Sequence, residues 1–233
     1  MAKQFYSVSY KTYSNQRLKE VVFQGAEMHP LYLQVTYDRK SIFFKSYYFE
    51  LFARPKYAFL PVNILQVMDL ESGLLDALID EDVERFTLEG LLRKYKLWSV
   101  DVLDSCDGSF KQLLAGVLRE EGLVVLSGMV EEVGDSVAGI SLWRELGRSL
   151  DRGLFKRMEE RIVREGHPYL PLATYVLETL PDGPMCLSLW EWKKKEGEIE
   201  RWLGGVRGFK GMDVKRGVRM IRELVKGVVD GGR

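Results

Sequence analysis

The chain contains 233 residues, of which 46% are hydrophobic, and its 34 basic residues balance its 34 acidic residues. The hydrophobic content is too high for a disordered protein, and the length predicts two small domains or one domain with an appendage. No stretch is apolar for long enough to resemble a signal peptide or a membrane span, which predicts a cytoplasmic protein without a membrane partner.

The charged residues are distributed unevenly along the chain. Residues 1–60 contain nine Lys/Arg and four Asp/Glu, residues 61–135 contain six and sixteen, and residues 136–233 contain nineteen and fourteen. The three segments therefore carry net charges of +5, −10 and +5. This asymmetry predicts basic surfaces at both ends and an acidic middle that would bind a basic protein partner or another copy of the chain. Ordinary solvated faces are the alternative interpretation.

The first 60 residues are rich in Phe and Tyr, with fifteen of the 22 in the chain. These residues favour pleated, half-buried surfaces, so the segment is expected to form β-strands. Phe5–Tyr10 predicts a first strand, and Pro30 introduces a second strand with a core face and an outer face. The core face contains Leu31, Leu33, Val35 and Tyr37, and the outer face contains Tyr32, Gln34 and Thr36.

A polar turn and a return strand follow. Asp38, Arg39 and Lys40 predict the turn, and Ile42–Phe52 predicts the partner strand. The three strands would form a small antiparallel meander, which needs a helix against its buried face to be stable.

The outer face of the return strand combines aromatic and basic character. Phe43, Lys45 and Tyr47 share this face, and the two rings would be unfavourably placed in water unless something covers them. The protein's own helices and an external partner are both possible covers. The meander defines a predicted first domain of residues 1–60.

Helical spacing of apolar residues begins at Asn63, so residues 61–233 are expected to form a second, mainly helical domain. Thr87 is a suitable N-cap for one helix, and Leu142–Ile162 carries the apolar stripe of a single long amphipathic helix. The acidic run Asp80–Glu84 lacks the spacing of a metal site and indicates a solvated helix end. The predicted fold class is therefore α+β.

The last helix is basic on one side. Its apolar stripe has a neighbouring stripe of Lys215, Arg219, Arg222 and Lys226. This secondary basic surface would rest on phosphates or on a partner, whereas packing of the helix on the core with a solvated basic rim is the favoured interpretation.

Three phrases near the N-terminus carry a family resemblance: "FYSVSY" at 5–10, "PLYLQVTYDRKSIFF" at 30–44 and "VERFTLEGLLRKYK" at 83–96. Together they resemble the arm-type DNA-binding domain found at the N-terminus of tyrosine recombinases from bacterial phages and conjugative elements. In that family a strand similar to the second phrase, a basic turn and another strand form a small sheet that lies in the DNA major groove. The resemblance implies the same use of the sheet here.

The sequence departs from this family at several positions. Gln34 stands where the family often has a basic residue, and the turn has Asp38 and Arg39 where glycine is common. A recombinase also needs a catalytic tyrosine, several arginines and a His-x-x-Arg box. The two histidines, His29 and His167, do not form such a box, so the chain is not expected to be a working recombinase.

The residues themselves also fit DNA, since a β-ribbon fits the major groove, glutamine reads adenine bidentately and cations hold phosphates. The predicted DNA-binding residues are Tyr32, Gln34, Thr36, Arg39, Lys40, Lys45 and Tyr47. The predicted function is non-catalytic binding of double-stranded DNA by an accessory or regulatory protein of a phage or mobile element. The alternative is a structural or assembly subunit that binds another protein through the aromatic sheet.

No pattern of residues predicts an enzyme, a metal site or a cofactor. Asp182, Glu191 and Lys193 imitate the PD-(D/E)xK signature of Mg²⁺-dependent nucleases, which requires them on adjacent strands, but the spacing around Glu191 is helical. The nuclease remains a minor alternative. Cys106 and Cys186 match no metal-ligand spacing and are expected to be reduced, buried thiols.

Overall fold

The computed structural model of the chain describes residues 7–82, 84–181, 183–205 and 214–231, with side chains at 216–223 and 226 in the last segment. The fold is α+β, as predicted, with a small antiparallel sheet followed by helices. Two compact units divide the chain, Met1–Val100 and Asp101–Arg233. The predicted boundary at residue 60 differs from this division, because helices from residues 61–100 pack on the sheet and belong to the first unit.

Within its described residues, 7–82 and 84–100, the first unit contains five strands and three α-helices. They are β1 (Ser9–Ser14), β2 (Val21–Phe23), β3 (Ala26–Met28), β4 (Leu31–Tyr37), β5 (Lys40–Lys45), α1 (Tyr47–Phe52), α2 (Ile64–Glu81) and α3 (Leu88–Trp98). A turn of 3-10 helix at Pro55–Tyr57 follows α1. Strands β1, β4 and β5 form one antiparallel sheet with β4 in the centre, and β2 and β3 form a separate hairpin.

The alternation in the central strand confirms the predicted core face. Leu31, Leu33 and Val35 are 3%, 0% and 0% exposed, whereas the intervening residues of β4 are half-buried. The first strand begins at Ser9, which pairs with Thr36, and the predicted strand residues Ser7 and Val8 lie before it. Residues 1–6 lie outside the described part of the chain.

The predicted return strand is wrong beyond Lys45, because the chain turns there into α1. Ser46 caps this helix, and its Oγ accepts a hydrogen bond of 3.0 Å from the N–H of Phe49. Tyr48, Phe49, Leu51 and Phe52 are at most 2% exposed. An alternating strand would have exposed half of these aromatic and aliphatic side chains, whereas a short helix buries them together.

Helices α2 and α3 cover the core face of the sheet, as the meander required. The ring of Phe44 in β5 lies 4.8 Å from that of Tyr95 in α3, and the ring of Tyr37 lies 4.8 Å from that of Phe86. Thr87 caps α3 as predicted, since its Oγ1 accepts from the N–H of Gly90 at 3.0 Å. The opposite face of the sheet therefore points away from these helices.

The second unit is helical. Its helices are α4 (Val102–Glu120), α5 (Val124–Glu132), α6 (Gly139–Ser149), α7 (Arg152–Glu165), α8 (Tyr169–Thr179), α9 (Leu189–Gly205) and α10 (Val214–Gly231). The long helix predicted from Leu142 to Ile162 is wrong, because Leu150 is extended and the Asp151 side chain caps a new helix. Among the residues that are described, no helix is both long and apolar enough to cross a membrane.

Candidate nucleic-acid interface

The outer face of the sheet presents side chains in rows that cross all three strands. Residues directly opposite each other in antiparallel strands project from the same face, so the register defines each row. The rows are Tyr13–Tyr32–Lys45, Lys11–Gln34–Phe43 and Ser9–Thr36–Ser41. The β4–β5 turn, with Asp38 and Arg39, lies beyond the last row.

This face is open. Each of its side chains is exposed or half-buried, and Phe43 is 58% exposed although its ring is apolar. The rings of Tyr13 and Tyr32 lie 6.3 Å apart at one end of the face. Thr36 and Ser41 share a hydrogen bond of 2.7 Å at the other end. The face therefore offers an aromatic end, a polar end and a mixed central row.

Two exposed cations lie on this face and its turn, Lys11 and Arg39. The prediction for Lys40 is corrected, because Lys40 pairs with Tyr37 and so projects from the opposite, helical face. Within the residues that the structure describes, neither Lys11 nor Arg39 is ion-paired. The Lys11 ammonium lies 5.8 Å from the centre of the Tyr13 ring, and the residue is exposed. These cations are the strongest electrostatic feature of the face, and sequence analysis missed Lys11 because it placed the first strand too early.

Lys45 also lies on the outer face, but it is ion-paired, unlike Lys11 and Arg39. Its Nζ lies 2.9 Å from Oε1 of Glu50, and this hydrogen bond raises the pKa of Lys45. The pair lines a cavity of about 280 Å³ whose other walls include Val21, Pro30 and Phe49. Because the carboxylate of Glu50 neutralises it, Lys45 offers less to an anion than its position in the row suggests.

The turn places two non-glycine residues in an unfavourable backbone conformation. Asp38 and Arg39 have φ of +48° and +61°, and Tyr37 pairs with Lys40 on either side of them. A two-residue hairpin turn of this kind usually contains glycine, because side chains are disfavoured at positive φ. The turn keeps the Arg39 side chain at the tip of the hairpin despite this cost.

Tyr47 is not on the outer face, which corrects the prediction. It is the first residue of α1, and its N–H donates a hydrogen bond of 2.8 Å to the hydroxyl of Tyr95. The strand alternation that would have placed it beside Phe43 and Lys45 ends one residue earlier, at the Ser46 cap. Of the other predicted residues in β4 and β5, Tyr32, Gln34, Thr36 and Lys45 do lie on this face, whereas Lys40 pairs with Tyr37 on the helical face.

The secondary basic surface on α10 is partly occupied by ion pairs. Nε of Arg222 lies 2.9 Å from Glu196, and a guanidinium nitrogen lies 3.4 Å from Glu200, both on α9. Arg219 and Lys226 are exposed, and the Lys215 side chain lies outside the described residues. These contacts, together with buried Val218 and Ile221 on the same helix, fit the favoured interpretation of core packing with a basic rim.

Glu71 is a buried polar residue that the sequence analysis did not single out. Its Oε1 accepts hydrogen bonds from Ser46 Oγ at 2.6 Å, from the N–H of Tyr48 at 3.1 Å and from the Tyr95 hydroxyl at 2.9 Å. Removal of the carboxyl from water raises the pKa of Glu71 to about 7, although these donors oppose the shift. Glu71 joins the end of β5, the start of α1 and helix α3. The signal for its burial in the sequence is its position on α2, because Glu71 lies four residues after buried Val67 and so on the same face of the helix.

A serine and a histidine meet in the second unit without forming a catalytic pair. Ser109 Oγ lies 3.0 Å from Nε2 of His167, while Nδ1 of His167 accepts from the N–H of Tyr169 at 3.3 Å. The neutral ring therefore carries its proton on Nε2 and donates it to Ser109, whose own hydroxyl donates to the Cys106 carbonyl at 3.0 Å. A general base would have to accept from the serine, so this arrangement does not activate a nucleophile.

The geometry contradicts the nuclease motif at Glu191. Glu191 and Lys193 lie on α9, not on a strand, and Glu191 Oε2 accepts from both the N–H and the hydroxyl of Ser188 at 3.0 and 2.9 Å. The Ser188 hydroxyl in turn accepts from the N–H of Glu191, which is a capping box. Asp182 lies outside the described residues, and among the residues inside them no group of acidic, His or Cys side chains is placed to hold a metal ion.

Comparisons of this chain with protein-family models, with curated proteins and with solved structures found no match. The resemblance to arm-type domains thus rests on the quoted phrases alone.

Proposed function

We propose that the protein binds double-stranded DNA through the outer face of its three-stranded sheet. The observation that carries the proposal is this open face, on which Lys11 in β1 and Arg39 in the turn flank hydrogen-bonding and aromatic side chains. Cations hold DNA by releasing condensed counterions from phosphates, and polar side chains between them reach the base edges. The role would be that of a non-catalytic accessory or regulatory factor of a phage or mobile element.

The shape of the sheet supports the proposal. The helices that stabilise the sheet pack on its other face, so the hairpin of β4 and β5 enters a groove without displacing any of them. A two-stranded ribbon fits the major groove, which is about 12 Å wide. Arg39 at the tip and Lys11 on the flanking strand would then contact phosphates on either side of the ribbon.

The salt dependence of binding tests this proposal. With two phosphate contacts, affinity for a random-sequence duplex should fall about 12-fold between about 50 and 200 mM salt, since each contact contributes about 0.9 to the slope. The variant Lys11→Ala/Arg39→Ala should lose most of the affinity and most of the slope. Fluorescence anisotropy with a labelled duplex measures both quantities.

A charge-matched variant controls for the loss of net charge. Arg93 and Lys96 are also exposed cations of the first unit, but they lie on α3, on the helical side of the sheet. Arg93→Ala/Lys96→Ala should bind DNA nearly as well as the wild type. Equal losses in the two double variants would show that binding follows net charge and not the outer face, and would remove the proposal.

Binding of a protein partner is the second candidate, because the exposed Phe43 ring and the two tyrosines would also fit an aromatic protein contact. Such a contact would depend little on salt. An absence of measurable duplex binding at low salt would favour this candidate over DNA.

Replacing Arg39 with glycine should separate stability from binding. Relief of the positive φ contributes about 1–2 kcal/mol, and the greater chain entropy of glycine opposes it by about 0.5–1 kcal/mol, so a net gain in stability of about 0.5 kcal/mol is expected. DNA affinity should nevertheless fall, because the tip cation is lost. Urea unfolding and fluorescence anisotropy on the same preparation measure the two effects. A variant that is more stable and binds DNA as tightly as the wild type would show that the Arg39 side chain has no role in binding.

A further inference from the structure

A glutamine and an aromatic residue stand side by side at the centre of the outer face. Gln34 in β4 and Phe43 in β5 are direct cross-strand partners, in the middle of the three rows. Side chains in such a pair lie about 5 Å apart at Cβ. The Phe43 ring is 58% exposed, and Gln34 Nε2 makes only a long contact of 3.4 Å to Ser41 Oγ. Both groups are therefore available to a ligand that approaches the face.

These two groups match the two features that distinguish an A·T pair in the major groove. Adenine presents an acceptor, N7, beside a donor, the N6 amino group, and a carboxamide complements both at once. Thymine presents a C5-methyl group, which favours an apolar contact. From the pairing of Gln34 with Phe43 we infer that the outer face recognises A·T base pairs, with the Gln34 amide on adenine and the Phe43 ring on the thymine methyl. This inference rests on the proposed function and specifies the sequence class that the site selects.

The same pair discriminates against G·C. Guanine presents two acceptors, O6 and N7, so the carboxamide oxygen of Gln34 would face an acceptor without a donor between them. Cytosine has no methyl group at C5, so the Phe43 ring would remain partly in water. Residues two apart along β4 are about 7 Å apart. The central pair of Gln34 and Phe43 therefore contacts one or two adjacent base pairs, and its selectivity applies to those base pairs.

Modified duplexes test the inference without altering the protein. Three short alternating duplexes are compared by anisotropy: dA-dT, the dA-dU counterpart, which lacks only the thymine methyl, and dG-dC. Wild-type protein should bind dA-dT about fourfold more tightly than dA-dU, as expected for one methyl group removed from water. It should bind dA-dT at least about tenfold more tightly than dG-dC, as expected when the bidentate amide contact is also lost.

Single substitutions assign each contact. Phe43→Ala should abolish the difference between dA-dT and dA-dU and keep the preference over dG-dC. Gln34→Ala should keep the difference between dA-dT and dA-dU and should reduce the preference over dG-dC to about fourfold, the contribution of the methyl group alone. This variant should also be insensitive to replacement of adenine by 7-deazaadenine, which weakens binding of the wild type. Phe59→Ala and Gln16→Ala are matched controls at exposed positions of the same unit, and both should behave like the wild type.

The outcomes separate this inference from the proposed function. Salt-dependent binding that is equal for dA-dT and dA-dU, or equal for dA-dT and dG-dC, would leave DNA binding intact and overturn the recognition of A·T pairs. A Phe43→Ala variant that loses the same factor on all three duplexes would overturn it as well. Failure of the wild type to bind any duplex would instead count against DNA binding itself.

Discussion

Replacing Asp107 with alanine is expected to destabilise the second unit by about 3–5 kcal/mol, because it leaves a buried ammonium without its counter-charge. Asp107 Oδ2 lies 2.7 Å from Nζ of Lys111, and the two side chains are only 4% and 8% exposed. Asp107 Oδ1 also accepts a hydrogen bond of 2.7 Å from the N–H of Gly139, at the start of α6. Lys111 donates in addition to the Gly134 carbonyl at 2.7 Å. The pair thus fixes the segment between α5 and α6 against α4.

Urea unfolding followed by circular dichroism, with hydrogen exchange of peptides from α4 and α6, measures the effect on this unit. A suitable control is Glu160→Ala, because Glu160 also pairs with a lysine four residues away, at 3.8 Å, but both side chains are more than half exposed. Its effect should be below about 0.5 kcal/mol, as for ordinary surface pairs.

The double variant Asp107→Leu/Lys111→Met distinguishes the loss of the ion pair from the cost of leaving the Lys111 ammonium unpaired. Removing both charges avoids the unpaired ammonium, so the double variant should be clearly more stable than Asp107→Ala. If the double variant is as unstable as the single variant, the destabilisation comes from the lost Gly139 contact and the charge argument is wrong.

The sheet could be predicted from sequence where the pattern is local. Alternation between Leu31 and Tyr37 identifies a strand with one buried face, and period-two alternation has no helical equivalent. Thr87 likewise identifies a helix start from a single side chain. The end of β5 could not be predicted in this way, because the aromatic residues after Lys45 fit either a strand or a helix. The choice depends on the Ser46 cap and on Glu71, which is distant in sequence.

Interruptions of a helix that depend on one polar residue could not be predicted from the sequence either. Leu142–Ile162 keeps its helical stripe across Leu150, so periodicity predicts one helix. Asp151 nevertheless accepts from the N–H groups of Gly153 and Leu154, and this new cap starts α7 separately. A capping side chain inside an apolar pattern competes with helix continuation, and the sequence alone does not show which of them prevails.

The composition of the candidate interface was predicted better than its electrostatics. Tyr32, Gln34 and Thr36 lie on the outer face because strand alternation places them there. The pairing of Lys45 with Glu50 could not be predicted, since Glu50 reaches Lys45 only because the intervening residues enter a helix. Register also depends on contacts between strands, so the pairing of Gln34 with Phe43 became visible only in the structure.

Replacing Glu71 with glutamine is expected to remove a pH dependence from the stability of the first unit. Burial raises the pKa of Glu71 from its ordinary value of 4.5 to about 7, so the folded state holds the proton more tightly than the unfolded state. The stabilisation from this proton is complete below about pH 4.5 and is lost as the pH rises through about 7. Ionisation of the buried carboxyl costs about 3 kcal/mol above that pH.

Glutamine keeps the acceptor that matters at this position. Glu71 Oε1 accepts hydrogen bonds from Ser46, Tyr48 and Tyr95. The side-chain amide of glutamine would retain this oxygen and would present its NH₂ group to the Tyr95 hydroxyl. Glu71→Gln should therefore match the wild type near pH 5 and exceed it by up to about 3 kcal/mol near pH 8. Glu71→Ala should be less stable at both pH values, because the three donors lose their acceptor.

The measurement has to be local, because other buried groups titrate in the second unit. Burial raises the pKa of Asp101 to about 7 and lowers that of His167 to about 4, so a global unfolding curve mixes opposite pH dependences. Hydrogen exchange of peptides from β4 and α1, at pH 5 and pH 8 after correction for the intrinsic exchange rate, reports the first unit alone. A wild-type unit as stable at pH 8 as at pH 5, with no gain in Glu71→Gln, would mean that the hydrogen bonds from the three donors outweigh desolvation and keep the carboxyl ionised. In that case the junction of β5, α1 and α3 would depend on a buried charge, and Glu71→Gln would be destabilising at neutral pH.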